Sequence, residues 1–589
     1  MKKIKTYIAA ATLALGTTAC SGFMDTEVDL TLSEEQVFSS FENTRSFLAN
    51  IYTYLPDAFA AINDGSYNSP RDCMTDNALC FWPSVNYYGV INDSYSASNH
   101  PVAEYFWPRN CTAIRAANKF LANVKESVVG NYDKDGDDDH LYDRYKAEAR
   151  LLRALFHLEM VGYFGDFLII GDDENGDPII YEQNDERMNI ARTDAAEVLE
   201  WIAEECDAVK DVLPFRYSDE TENWGRVNGA AAYALKARAL LYRASPLNNT
   251  SNNTSWWQEA AEAAQDFIDK NNTQSNPYVL YTTTDNDPDE NYYECFITNP
   301  YYNDEYILTR SVWTTYTVEF YLTPCGFSGT IQSNGRTNPT QNLVDSYEMA
   351  SGVPIDASNS GYDAQNPYAN RDPRLEQTIL HHGSIWGDAV NDEEREVDVS
   401  YPDGADYQLQ FGGTLTGYYT KKFLNNMSFK SPTTYNHVCP IFRYGEVLLN
   451  AAEAYNEAYG PEYAYEFVNE VRARVGMPAY SGMTQDELRE RIQNERRIEL
   501  VFEDHRFFDE RRWKLFENQT SSSETSLPRY QQLYNLYGVT VTPDASTVYT
   551  YGYAESHPSR AFNSPKNYYF PIPEEEYKKL PNLGQNTGW

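Results

Sequence analysis

Paired segments striped with alanine are the feature that most constrains the fold of this chain. Residues 230–244 place small and apolar side chains at spacings of three, four and seven residues, and Pro246 ends the segment. Residues 255–270 follow an Asn- and Ser-rich turn and carry a similar stripe. Because small side chains on facing stripes let two helices approach closely, the two segments predict a helical hairpin. The first stripe comprises Ala230, Ala234, Ala237, Leu241 and Ala244.

Two further regions have the same helical periodicity. Residues 147–162 repeat leucine and valine at steps of three and four, and residues 447–458 repeat alanine before a second helical segment at 463–475. Stacked two-helix units of this kind are typical of tetratricopeptide-like arrays, although no clean 34-residue repeat is present. The sequence therefore predicts a mainly α fold with a degenerate tetratricopeptide-like scaffold and little β structure.

Two long stretches, residues 57–108 and 274–435, lack helical spacing. They are rich in Tyr, Asn, Asp, Gly and Pro, which favour turns and irregular loops. Loops of this length in a compact protein are usually functional. We expect a helical scaffold that carries elaborate ligand-binding loops.

The N-terminus is typical of an exported lipoprotein. Lys2, Lys3 and Lys5 precede a short apolar run at 8–16, too short to span a bilayer, and small residues then lead into Cys20. This pattern resembles a bacterial lipobox, so residues 1–19 are predicted to be a signal peptide and Cys20 to be lipidated, although Thr17 replaces the usual Leu or Val. The alternative is an ordinary cleaved signal with a coincidental cysteine.

The charge of the chain excludes one class of partner. Its 87 acidic residues outnumber 47 basic ones, for a formal net charge of −40 at pH 7. A surface this acidic repels phosphate backbones and anionic lipid headgroups, so nucleic acid is not expected as a partner. Contact with a membrane is expected through the lipid anchor only.

Aromatic side chains are more numerous than a core of this size needs, with 48 Tyr, 27 Phe and 10 Trp. Many of these rings must therefore reach the surface. Tyr and Trp present an apolar face with a polar edge, which suits stacking on the C–H faces of sugar rings. A merely well-solvated, Tyr-rich surface is the alternative interpretation.

Several short segments are spread in order over almost the whole chain: ARLLRA at 149–154, YFGD at 163–166, NLVDSYEM at 342–349 with Gly352, RDPR at 371–374, RYGEVLLNAAEA at 443–454, ERR at 495–497, RRW at 511–513, PIP at 571–573 and NLGQN at 582–586. Together these segments resemble the SusD/RagB family of Bacteroidetes outer-membrane lipoproteins.

The resemblance implies a largely helical body over residues 20–589, with an N-terminal region at about 20–215 and a C-terminal region at about 216–589 that contains the loop insertions 274–435. It further implies a lipoprotein of the outer membrane, facing the cell exterior, that acts as a lid on a SusC-like TonB-dependent transporter. Members of the family bind ligands without covalent chemistry, so no catalytic residue is expected.

The charged signature near the C-terminus also has a structural interpretation. Glu503, Arg506 and Glu510 stand three and four residues apart, a spacing that predicts ion pairs along one helix surface, with Trp513 packed behind them. These residues identify the family without locating the ligand.

Members of the family build their ligand sites from aromatic and polar residues on variable loops. Trp82 could stack on a ligand or could instead have a core or lid role. Arg371 could bind a ligand or could equally brace its own loop. The arrangement of Asp64, Trp82 and Cys295 resembles that of fructan-binding members. The predicted ligand-binding residues are Asp64, Arg71, Trp82, Tyr87, Tyr293, Cys295, Trp313, Tyr316 and Arg371.

A weak calcium candidate lies at Asp133, Asp135, Asp137 and Asp139, which alternate around Gly136. Carboxylates at this spacing resemble part of a calcium loop, but the glycine and the final glutamate of an EF-hand are not where that loop needs them. An acidic, solvated turn is the preferred interpretation, and no cofactor is predicted.

Three functions remain open at this stage. Capture of an oligosaccharide or polysaccharide is preferred because of the loop aromatics. Peptide capture, as in the RagB branch, would look similar in sequence. A surface glycoside hydrolase needs two carboxylates that flank the scissile bond, and with 87 acidic residues a candidate pair decides nothing.

Overall fold

The structure is a computed structural model, and it describes residues 32–57, 59, 70–81, 86–130, 140–182, 185–310, 313–315, 317–327, 333–387, 394–407, 412–426, 435–517, 519–543, 548–553 and 560–589. The predicted signal peptide 1–19, Cys20 and the calcium candidate Asp133, Asp135, Asp137 and Asp139 lie outside these residues.

Helices provide most of the regular structure in the described ranges. They are α1 (Glu34–Val37), α2 (Phe41–Ile51), α3 (Tyr87–Ile91), α4 (Pro101–Asn123), α5 (Glu126–Val129), α6 (Leu141–Phe164), α7 (Ala195–Val209), α8 (Glu220–Asn223), α9 (Gly229–Ala244), α10 (Thr254–Asn272), α11 (Asn291–Ile297), α12 (Thr317–Leu322), α13 (Gln341–Ser346), α14 (Arg374–Thr378), α15 (Tyr444–Tyr459), α16 (Tyr465–Arg474), α17 (Gln485–Glu499), α18 (Arg506–Arg512) and α19 (Glu574–Lys579).

The long helices pack in sequence as an array. Helix α4 packs on α6, α6 on α7, α7 on α9, α9 on α10, α10 on α15, and α15 on both α16 and α17. The alanine stripe of α9 is buried, as are the alanines of α10 that face it, and α15 packs on α16 with its own alanines buried. Both predicted helical hairpins are therefore confirmed. The mainly α, tetratricopeptide-like fold that the sequence predicted is also confirmed.

One boundary prediction is wrong. Residues 57–108 were expected to be irregular, but α4 begins at Pro101 and continues through Pro108. Proline suits the first helical position, where its missing N–H has no partner to lose, and the His100 ring accepts a hydrogen bond from the Ala103 N–H. Burial of Phe106 and its neighbours then offsets the cost of an internal proline.

The strands are short and form separate antiparallel two-stranded ladders: β1 with β4, β2 with β10, β3 with β9, β5 with β8, β6 with β7, and β11 with β12. Their bounds are β1 (Ala78–Cys80), β2 (Tyr306–Thr309), β3 (Trp313–Thr315), β4 (Thr337–Pro339), β5 (Ile379–Leu380), β6 (Ile385–Trp386), β7 (Arg395–Glu396), β8 (Tyr419–Thr420), β9 (Tyr435–His437), β10 (Pro440–Arg443), β11 (Tyr537–Thr542) and β12 (Val548–Tyr553).

A network of buried charges, here called the ionic core, joins α17 to the start of α15. Arg443 donates to Glu305 at 2.6 Å, to Glu499 at 2.8 Å and to Glu503 at 2.6 Å. Lys422 also donates to Glu503, at 2.6 Å. The ionic core comprises Glu305, Arg374, Lys422, Arg443, Arg472, Arg474, Glu495, Glu499 and Glu503, all buried.

The pairing predicted for Arg506 is wrong. Its guanidinium does not bind Glu503 or Glu510 along a helix surface but donates to both carboxylate oxygens of Asp76, each at 2.8 Å. Glu503 pairs with Lys422 in the ionic core, and Glu510 contacts Arg560 at 2.6 Å. The residues are buried, so their partners come from distant segments rather than from neighbouring turns.

Within the described ranges, no helix is both long enough and apolar enough to cross a membrane.

Candidate ligand-binding face

The two irregular regions predicted from the sequence meet through the ladder of β1 and β4. Ala78 lies opposite Pro339, and Cys80 lies opposite Thr337. Beyond the ladder, the Phe81 N–H donates to the Arg336 carbonyl at 2.9 Å. The segment that leads to Trp82 therefore lies beside the segment that leads into β4.

A continuous set of contacts extends from this ladder across the second region. The Arg336 N–H donates to the Tyr321 carbonyl at 2.8 Å, and its guanidinium lies 4.2 Å from the centre of the Tyr321 ring. Tyr321 belongs to α12, whose Glu319 accepts the Asn425 N–H at 3.3 Å. Contacts between main chain and side chains thus link Phe81 to Asn425.

These contacts return to the first irregular region at Phe59. The Phe59 ring meets Phe423 edge to face, with centroids 5.0 Å apart, and Tyr293 donates to the Leu424 carbonyl at 2.7 Å. We call the surface formed by Phe59, Phe81, Tyr293, Tyr321 and Asn425 the loop face. All five are half-buried, so each is fixed by packing while part of it remains accessible.

Charges beneath the loop face are paired. Asp57 contacts Arg310, and it accepts the Phe59 N–H at 3.0 Å. Glu319 is fully buried and lies 2.8 Å from the Nε2 atom of His437. These carboxylates anchor the loops that carry the aromatic rings, and neither is presented to solvent.

Of the predicted ligand-binding residues, Tyr293 lies on the loop face. The Lys421 ammonium lies 4.8 Å from its ring centre, and burial raises the pKa of the Tyr293 hydroxyl. Trp313 lies in β3 opposite His437, and the structure describes its main chain only. Asp64, Trp82 and Tyr316 fall outside the described residues, so their roles stay predictions.

The other predicted residues are buried and engaged by protein groups. Arg71 contacts Glu159 at 3.0 Å and Asp504 at 3.1 Å. Its guanidinium lies between the rings of Phe106, Tyr163 and Phe508, with centroids 5.3 to 5.6 Å away.

Tyr87 and Cys295 are also buried, and burial raises the pKa of both groups. Arg371 donates to the carbonyls of Pro367, Val344 and Tyr347, which favours the bracing role that the sequence left open. As ligand contacts these residues stay predictions, and their surroundings favour structural roles.

Phe59, Phe81 and Tyr321 are residues of the loop face that sequence reasoning did not select. A signal for the two phenylalanines was present, since each is an apolar ring in a stretch otherwise rich in polar and turn-forming residues. What could not be read from the sequence is that the ladder of β1 and β4 brings Phe81 close to Tyr321 through Arg336, and that Phe59 packs on Phe423.

A concavity of about 940 Å³ lies elsewhere, between α4, the segment 170–189 and α19. At its rim Arg115 is paired with Glu182, and Lys579 with Glu576. None of the residues predicted to bind ligand lines it. The loop face is therefore the stronger candidate for the ligand site.

Comparison with known proteins identifies what this chain is similar to. The family described as SusD family matches residues 269–589, and the family described as Starch-binding associating with outer membrane matches residues 22–241. SusD-like protein P2 of Formosa agariphila is 27% identical over 435 residues, which cover 72% of this chain and 74% of that protein.

Two solved structures share the fold. A SusD-like protein from Bacteroides fragilis superimposes with a TM-score of 0.73 at 24% identity, covering 94% of this chain and 98% of that one. A SusD-like carbohydrate binding protein from the same species gives a TM-score of 0.68 at 22% identity, covering 93% and 99%.

Proposed function

Because the chain belongs to the SusD family, as its signature segments predicted, we propose that it captures a glycan on the loop face and delivers it to a SusC-like TonB-dependent transporter. The observation that carries the proposal is the convergence of both irregular regions on one surface of half-buried aromatic rings. The printed descriptions of one matched family and of one structural neighbour, starch-binding and carbohydrate binding, support the glycan as ligand class.

The mechanism of capture is stacking combined with hydrogen bonding. The rings of Phe59, Phe81 and Tyr321 offer apolar faces to the C–H faces of sugar rings. The Asn425 amide is of the type that binds sugar hydroxyls. Since half-buried side chains lose little freedom on binding, such a surface is partly organised before the ligand arrives.

Binding without chemistry is part of the proposal. A glycosidase needs two accessible carboxylates that flank the scissile bond. Asp57 and Glu319, the carboxylates described beneath this surface, are buried and paired with Arg310 and His437. This arrangement supports a binding protein over a hydrolase.

The cellular setting is also proposed. Lipidation at Cys20 would tether the chain to the outer membrane, facing the exterior, and the description of one matched family supports an outer-membrane association. The resemblance of Asp64, Trp82 and Cys295 to fructan-binding members makes fructans the first ligands to try. Capture of a peptide, as in the RagB branch, is the second candidate.

The test is binding of the purified mature protein to a panel of inulin, levan, amylopectin, xylan and laminarin by affinity electrophoresis and calorimetry. Retardation without new reducing ends is expected.

Tyr321→Ala should weaken binding by about 1–3 kcal/mol, since a stacking ring at the centre of a site is lost. The control is Tyr463→Ala, an exposed tyrosine on the distant turn after α15. Release of reducing ends would indicate a hydrolase. Binding to a peptide library, with no binding to any glycan of the panel, would favour the RagB-type function.

A further inference from the structure

A second aromatic cluster lies outside the loop face. Tyr302 is 78% exposed, the most exposed large apolar side chain in the part of the chain that the structure describes. Tyr301 is 36% exposed and meets Trp224 edge to face, with ring centroids 4.8 Å apart. Two adjacent exposed tyrosines, one of them packed on a tryptophan, are more than solubility requires.

The main chain beneath these rings is held firmly. Asn299 accepts the Tyr301 N–H with its side chain at 3.2 Å and the Tyr302 N–H with its carbonyl at 3.0 Å. Trp224 is followed by Gly225 at φ +75°, and Arg226 is then fixed by Glu148 at 2.9 Å. The cluster is therefore a built platform rather than a loose turn.

A small cavity of about 30 Å³ adjoins the platform and is lined by Trp224, Glu220, Asn223 and Thr309 among others. The Nε1 atom of Trp224 is buried and has no hydrogen-bond partner in the described structure. A buried donor without a partner is unfavourable, so this N–H favours an acceptor supplied from outside. The cavity has room for one group of the size of water or a hydroxyl.

We propose that Trp224, Tyr301 and Tyr302 form a second sugar-binding site, in which Tyr302 and Tyr301 stack on a sugar ring and a hydroxyl accepts the Trp224 N–H. The inference rests on the proposed function, because it assigns the site to the same glycan as the loop face. The ligand class that it implies is a polymer, because a long chain can contact both sites at once.

The two sites are connected by β2. Tyr302 precedes this strand, and Arg310, which follows it, contacts Asp57 beside Phe59. Arg310 follows Tyr302 by eight positions, so the two residues lie at most about 26 Å apart at the rise of an extended strand. One polysaccharide chain that engages both sites gains affinity because its second contact becomes intramolecular.

The test compares a polysaccharide bound in the panel with its own trisaccharide, using the full mature protein. Tyr302→Ala is expected to lower the affinity for the polymer roughly tenfold and to leave the affinity for the trisaccharide unchanged. Trp224→Phe, which keeps the ring and deletes the N–H, should lower the polymer affinity by a smaller factor. Tyr321→Ala should weaken binding of both ligands, and Tyr463→Ala should affect neither.

The outcomes separate the two proposals. If Tyr302→Ala and Trp224→Phe bind the polymer like the wild type, the second site is overturned while glycan capture on the loop face stands. Weaker co-purification with the transporter at unchanged glycan affinity would assign the rings to a protein interface, which also overturns the inference. If the wild-type protein binds no glycan, both proposals fall together.

Discussion

The ionic core and the loop face satisfy their polar groups in different ways. In the ionic core, charged side chains are fully buried and bind one another, as when Glu499 contacts Arg374, Arg443 and Arg474. On the loop face, Phe81 and Tyr321 are half-buried and the polar contacts run mainly through the main chain. The ionic core therefore depends on the identity of its side chains. The loop face is held mainly by main-chain contacts, so its side chains can be replaced while the surface is kept.

The largest expected effect comes from breaking the ionic core. Burial alone would raise the pKa of Glu499, but Arg474, Arg443 and Arg374 lower it well below its usual value. Glu499→Ala leaves these guanidinium groups without their shared carboxylate and should lower the free energy of unfolding by about 3–5 kcal/mol. Chemical denaturation measures it, with the exposed Glu462→Ala as control. Equal effects of the two substitutions would contradict the assignment.

An intermediate effect, on binding rather than stability, is expected at the loop face. Trp82 directly follows Phe81 in the sequence, and Phe81 belongs to the loop face. If its ring stacks on the glycan, Trp82→Ala should weaken binding by roughly 1–3 kcal/mol while the free energy of unfolding stays unchanged. Calorimetry and denaturation on the same sample decide this. A loss of stability without a loss of affinity would instead give Trp82 a core role.

A third effect, which amounts to the least at any single step of pH, is expected where the first irregular region meets the ionic core. Asp72 lies in the first irregular region beside the ionic core, where burial raises its pKa to about 7. The Asn77 side chain donates to one oxygen at 2.7 Å, and Lys422 only partly offsets the burial.

Because this pKa is raised above its value in the unfolded chain, the contribution of Asp72 to stability is complete below about pH 4 and is lost as the pH rises to 7. Asp72→Asn cannot ionise, so its stability relative to the wild type should increase by roughly 1 kcal/mol per pH unit over that range. Denaturation at pH 4.5, 5.5, 6.5 and 7.5 measures the difference, with exposed Asp363→Asn as control. A constant difference would mean that Asp72 ionises normally.

The helical array was predictable because its signal is local. The alanine stripe of α9 and its partner α10 are adjacent in sequence, and periodicity alone gave both helices and their pairing. The start of α4 at Pro101 was missed because its apolar face lies in a stretch rich in proline and tyrosine.

The candidate site was less predictable because its geometry depends on distant contacts. The ladder of β1 and β4 joins segments about 260 residues apart, and Arg506 finds Asp76 across 430 residues. Spacing along the chain carries no information on such pairs. Composition indicated correctly that the irregular regions are rich in rings, but not which rings are accessible, and Cys295 and Tyr87 proved to be buried.

The packing of α10 on α15 has a consequence for how such a protein can change. The chain leaves the array at Asn272 and rejoins it at Tyr444 on the neighbouring helix, so the ends of the intervening segment are anchored to the same pair of helices. That segment can be replaced as a cassette without moving either helix, provided that it keeps Glu305, Arg374 and Lys422 of the ionic core. Because β4 pairs with β1, however, a functional graft must carry the matching part of the first irregular region. A change of ligand specificity would thus require matched changes in this segment and in the first irregular region.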